Sequence, residues 1–343
     1  MMNKRLKQGS TFLLAVALTF PLLTLPGAKA ASAIDTGQKC SIEFDISGNS
    51  SELLSASIPV NLYKVASVDE SGNYTVTDAF TGLDLSSVSA DNLDTAAATW
   101  AARAKEAQGK LTDSDGKTVV EPTETVTLQN GRGTATGLKT GLYLVDTPKV
   151  ITPNYTYTFT PYLVSLPTNN YYNNDQTSDD WIYDLTKEYN SAVGLKPEQH
   201  VRYGKLVINK ELEDHNATFG DKATFVFQID ITTPDNKKET RIEELTFDAA
   251  GSHSVTIEKI PAGSHVTVTE VYSGASYELA SAKSQETDII ANPEKKSEVE
   301  FRPAKVSFTN KHDGRTNGGY GVKNNFKLDE NNQYQYTKPA ATN

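Results

Sequence analysis

Three stretches of this 343-residue chain, far apart in sequence, carry side chains that together could make a covalent bond. Lys210 lies in KLVINKEL, Glu270 in HVTVTEVY and Asn310 in VSFTNKHD. Each run alternates like a strand, and in each a buried charged or polar group would need a reason. If the three meet in a core, a neutral lysine amine can attack the asparagine carboxamide. A protonated glutamate would relay the protons, and ammonia would leave behind an intramolecular isopeptide bond. Lysine is the only primary amine among the side chains, and burial disfavours its charged form. Asparagine offers an uncharged carboxamide, and a buried acid can stay protonated and polarise it. The plainer alternative is three unrelated polar residues on solvated strand faces.

The elements that must position these groups are strands. A first strand, a late middle strand and a last strand become neighbours in a Greek-key sandwich. Before residue 190 the pattern is also β: SIEFDI, IPVNLYKVASV, NYTVTDAF, ETVTLQ, GLYLVDT, YTYTFTPYLVSL and WIYDLTKEY alternate between Ser, Gly, Asn and Asp turns. SADNLDTAAATWAARAKEAQG is the exception, an alanine-rich run with Gly109 as its stop, and it predicts an inserted helix. The fold class expected is all-β, two tandem immunoglobulin-like sandwiches.

From Gly204 to Asp313 the phrases KLVINKEL, TFVFQIDI, HSVTIEKIPAGSHVTVTEVY and VSFTNKHD resemble, in order, the Cna B-type domains of Gram-positive sortase-assembled pilins. The resemblance implies that Lys210 of the first strand joins Asn310 of the last, assisted by Glu270. NLYKVA, ATGLKTGLYLVDT and FTPYLVSLPT, closing on WIYDLTKEY, are similar to N-terminal domains of fimbrial shaft and base subunits. Together the two resemblances imply a structural fimbrial subunit, with other pilin subunits and a sortase as partners and the cell surface as location.

Three departures from that family pattern stand out. The first strand, CSIEFDI, has no lysine for a second internal bond. Lys64, Asp146 and Asn190 form a substitute trio, unless Lys64 snorkels to solvent. The lysine a sortase would join to a neighbour is also missing at its usual place after Trp181, Leu185 and Tyr189; Lys187 and Lys196 are the substitutes nearby. The tail GGYGVKNNFKLDENNQYQYTKPAATN is polar and lacks an LPxTG-type signal, so the chain is not expected to be an acyl donor. Disorder is the expected state of the tail, with NNFKLD and QYQYTK able to add to a sheet edge as the other reading.

Composition bounds the rest. Lys4, Arg5 and Lys7, the apolar run TFLLAVALTFPLLTL and the small residues GAKAASA read as a secretory signal cut after Ala30, with Ala33 the second choice. The expected organisation is a signal over 1–30, a first sandwich over 38–190, a linker over 191–203, the Cna B-type domain over 204–313 and the tail over 314–343. Cys40 is the single cysteine, so no internal disulfide can form. A net charge of −10 argues against nucleic acid or an anionic membrane as partner. His200, His215, His253, His265 and His312 show no metal-ligand spacing, and no nucleophile elbow or phosphate loop follows a strand. No enzyme activity, cofactor or metal is expected. The rival from another class is a secreted adhesin or carbohydrate-binding module, for which Tyr171, Tyr172 and Trp181 supply an aromatic loop.

Overall fold

Strands dominate the chain, as their alternation predicts. The structure, a computed structural model, describes residues 33–86, 93–169, 181–186, 193–217, 222–294, 301–314, 325–328 and 334–337. It divides into two compact units: unit 1 is Met1–Thr152 with Tyr157–Gln199, and unit 2 is Pro153–Thr156 with His200–Asn343.

In unit 1 the central strand Ile58–Val68 pairs with Tyr74–Val76, Glu124–Leu128 and Gly141–Asp146. Gly141–Asp146 passes the sheet on to Tyr162–Leu166. A second sheet sets Cys40–Asp45 between Arg132–Leu138 and, in parallel, Asp184–Leu185. The alanine-rich run is a helix, Leu93–Gly109. Its buried Trp100, Ala104 and Ala107 recur at helical spacing and pack with Tyr63, Leu142, Leu144 and Leu163 of the larger sheet. Cys40 is buried and unpaired, and burial pushes its thiol up to about 12.

Unit 2 is a sandwich of two four-stranded sheets. One runs Gly251–Pro261, Tyr203–Leu212, Ala304–His312, Tyr277–Leu279; the other runs Lys238–Phe247, Ala223–Thr232, His265–Tyr272, Ser284–Asp288. Strict alternation fills the space between them. Leu206, Ile208 and Leu212 with Ala304, Val306 and Phe308 face Phe225, Phe227, Ile229, Ile231, Val266 and Val268. Phe227 and Phe308 meet with ring centroids 5.2 Å apart, and Phe225 with Phe247 edge to face at 5.6 Å. Burial of each such ring contributes about 1.5–3 kcal/mol.

The first and last strands of unit 2 lie side by side and parallel, in the register Lys210 to Phe308 and Leu212 to Asn310. Gly204 sets where the first of them begins. A Cβ there would stand 2.0 Å from the carbonyl oxygen of Ile290 and 2.7 Å from Cγ2 of Ile289. Gly204→Ala is therefore expected to destabilise unit 2 by about 1–3 kcal/mol, read as a lower denaturant midpoint; an unchanged midpoint would contradict this packing.

Two expectations are amended. Pro197–Val201, inside the stretch read as a linker, forms a strand. It is mostly exposed, so no apolar alternation announced it. Within the tail expected to be disordered, Asn325–Leu328 pairs antiparallel with Tyr334–Thr337. The two alternating runs pair with each other.

Candidate functional site: a lysine, a glutamate and an asparagine between the sheets of unit 2

Lys210, Glu270 and Asn310 continue the inward rows of their strands. Lys210 follows Leu206 and Ile208, Glu270 follows Val266 and Val268, and Asn310 follows Val306 and Phe308. Their relative exposures are 0%, 1% and 0%, so they form a polar island in an apolar core. Lys210 and Asn310 come from adjacent parallel strands, two register positions apart on the same face. Glu270 comes from the opposite sheet, where it pairs in register with Phe227.

Glu270 spans the other two side chains. Asn310 Nδ2 donates to Glu270 Oε1 at 2.7 Å, and Glu270 Oε2 stands 3.2 Å from Lys210 Nζ. Lys210 Nζ also donates to Asn310 Oδ1. The Phe225 ring lies beneath the amine, its centroid 4.5 Å from Nζ. Desolvation holds the Lys210 amine below its ordinary value, although the charge of Glu270 pulls the other way. An ion pair in such surroundings is costly, and a proton moved from lysine to glutamate leaves two neutral groups. Amine, acyl carbon and proton carrier are all within contact, and no solvated face competes for them.

The substitute trio does not assemble in this way. Asp146 pairs in register with Asn61, and Lys64 pairs with Tyr143. Because Asn61 and Lys64 are three residues apart on one strand, Asp146 and Lys64 project from opposite faces of the sheet. Asp146 faces the helix, accepting a hydrogen bond from Gln108 Nε2, and burial raises its carboxyl. Lys64 is half-buried on the other face, its Cε 2.7 Å from where a Cβ on Gly141 would stand. Burial, and then the nearby charges of Lys139 and Lys39, lower its amine. Asn190 lies outside the described residues.

Of the joining candidates, Lys196 is exposed and Lys187 lies outside the described residues. So do Tyr171 and Tyr172, whereas Trp181 sits half-buried in a short strand that pairs with Thr168–Asn169. Among the described residues there is no cluster of His, Cys, Asp and Glu able to hold a metal. None of the described helices is long and apolar enough to cross a membrane. Sequence reasoning overlooked Gln108. Its signal was available, because it falls beside Trp100, Ala104 and Ala107 on the stripe that faces the sheet.

The fold defines an all-β sandwich protein, with this polar trio buried between the sheets of unit 2. A family described as "Domain of unknown function (DUF5979)" matches residues 206–313, the stretch that contains all three side chains. No curated protein matches the chain. Among solved structures, the chain is similar to full-length major pilin SpaD from Corynebacterium diphtheriae, with 12% identity over 81% of this chain and 99% of that one, at a TM-score of 0.24. GBS52, the minor pilin of Streptococcus agalactiae, shares 14% identity over 75% of this chain and 83% of that one, at 0.21. The Bacillus anthracis TIE protein shares 16% identity over 55% of this chain, at 0.27; the chain spans 28% of its length. Two of these three neighbours are pilins, and all three are of low identity.

Proposed function

We propose that this chain is a structural subunit of a Gram-positive surface fimbria, its second unit a Cna B-type domain closed by a bond between Lys210 and Asn310. The observation that carries the reading is the two-ended placement of Glu270, with one carboxyl oxygen at the attacking nitrogen and the other at the departing one. In the reaction Lys210 Nζ bonds to Cγ of Asn310, and the Cγ–Nδ2 bond breaks. The amine gives a proton to Glu270 Oε2; Glu270 delivers a proton from Oε1 to Nδ2, and ammonia leaves. Glu270 ends as it began, so its action is catalytic but limited to one turnover.

The benefit is mechanical. Lys210 and Asn310 lie on the first and last strands of the sandwich, side by side and parallel. Tension applied through the two ends of the unit would shear these strands past one another, and an amide between them carries the load instead. Export by the N-terminal signal, a sortase and neighbouring subunits complete this reading. Intact mass of the purified protein tests it. A mass one ammonia below that of the processed sequence is expected, with Lys210 and Asn310 joined in a single peptide after digestion; the full mass would refute it.

A further inference from the structure

Unit 1 repeats part of this chemistry in a different place. Gln108 Nε2 donates to Asp146 Oδ1 at 2.6 Å, as Asn310 Nδ2 donates to Glu270 Oε1 at 2.7 Å in unit 2. In each case a primary carboxamide presents its nitrogen to a carboxyl group, fully buried in unit 2 and half-buried in unit 1. Asp146 ends the strand Gly141–Asp146, and Gln108 lies in the last turn of the helix packed on that sheet. Burial raises the Asp146 carboxyl above its ordinary value; the Gln108 hydrogen bond opposes this with less effect.

The third member differs. Opposite Asp146 in antiparallel register stands Asn61, half-buried, whose Oδ1 accepts from Thr125 Oγ1 at 2.9 Å. Directly paired residues on one sheet face have Cβ atoms about 4.5–5.5 Å apart, well within the reach of a lysine side chain. Tyr63, two residues along on the same face, is aromatic, and Lys64 projects from the other face. No lysine among the causes of the Asp146 shift supplies an amine.

We infer that Asp146 and Gln108 form a second amide-exchange site, complete in proton carrier and acyl carbon and unreacted because position 61, where the amine must stand, holds asparagine. The inference rests on the proposed chemistry of unit 2. With an amine in place, its nitrogen bonds to Cδ of Gln108 and the Cδ–Nε2 bond breaks. The amine proton passes to Asp146, Asp146 protonates Nε2, and ammonia leaves. No oxidant or cofactor enters the balance. The substrate class is a primary amine, and position 61 decides whether unit 1 is covalently closed.

Asn61→Lys in the full chain tests this, with intact mass and peptide mapping after digestion. A second ammonia is expected to be lost and a peptide joining positions 61 and 108 to appear, while N61K combined with Asp146→Ala yields no such peptide. A folded N61K protein, by circular dichroism, that lacks the 61–108 link overturns the inference. Should N61K not fold, Asn61→Ala incubated with methylamine decides in the same way, because the small amine can then occupy position 61 beside Asp146, and absence of a methylamide on Gln108 overturns the inference. The Lys210–Asn310 peptide, read in the same digest, reports separately on unit 2. Its absence would refute the chemistry proposed there, whereas its presence without the unit 1 link would refute only the second site.

Discussion

Replacing Glu270 with alanine is expected to leave the protein at its full, uncondensed mass and to make unit 2 the first part to unfold. Both effects have one cause. Without the carboxyl group nothing takes the proton from Lys210 Nζ or delivers one to Asn310 Nδ2, so the buried amine and the carboxamide stay apart. The amide would close a loop between residues 100 apart in sequence. By analogy with a disulfide in the chain-entropy treatment, losing such a closure costs about 4–5 kcal/mol. Against a net stability of roughly 5–15 kcal/mol for a domain, that is a large share. A further penalty arises because alanine leaves Lys210 buried without its acidic partner. Lys210→Met separates the two contributions. It also prevents the bond, but it removes the buried amine and fills the space with a side chain of similar length. Denaturant midpoints in the order wild type, then K210M, then E270A are expected, with protease resistance falling in step. An E270A protein that still loses ammonia, or that unfolds with the wild-type midpoint, would refute the assignment of Glu270 as proton carrier.

How much of this could be read from the chain depends on what fixes each feature. Lys210, Glu270 and Asn310 were legible because each breaks a long apolar alternation at an inward position, and burial of a charged group demands a partner. The strands of unit 2 were legible for the same reason. That Lys64 and Asp146 fall on opposite faces was not. Both lie in clear strands, yet whether they share a face depends on register, and a shift of one residue exchanges the faces. That register is set by the turns and by a bulge between Lys64 and Ala66, neither of which the apolar pattern encodes. Pro197–Val201 escaped notice because an exposed strand owes its existence to backbone pairing more than to side chains. Gln108 was overlooked because a helix face was read for its apolar residues alone. A polar residue on such a stripe is as informative as a lysine in a strand, and its partner Asp146 was in view.

Preventing the proposed bond at its other end is expected to expose a pH dependence that the closed protein would lack. In Asn310→Ala the Lys210 amine remains free and buried beside Glu270 and the Phe225 ring. Desolvation holds its folded-state value below the ordinary 10.5, while in the unfolded chain it returns to about that figure. Between the two values the unfolded state binds a proton that the folded state has released, so stability must rise with pH there. Below the folded-state value both states are protonated and folding bears the full cost of burying the charge. Above the unfolded value both are neutral and that cost is gone. Each unit separating the two values changes stability by about 1.4 kcal/mol. In the closed protein the lysine nitrogen is part of an amide and does not titrate in this range, so this rise is absent. Urea midpoints measured from neutral pH to about 10 should therefore converge, with N310A gaining on wild type as pH increases. Titrating groups remote from this trio are common to both proteins and cancel in the difference. A constant gap across the range would mean that Lys210 titrates alike in both proteins, and the bond to Asn310 would then have to be abandoned.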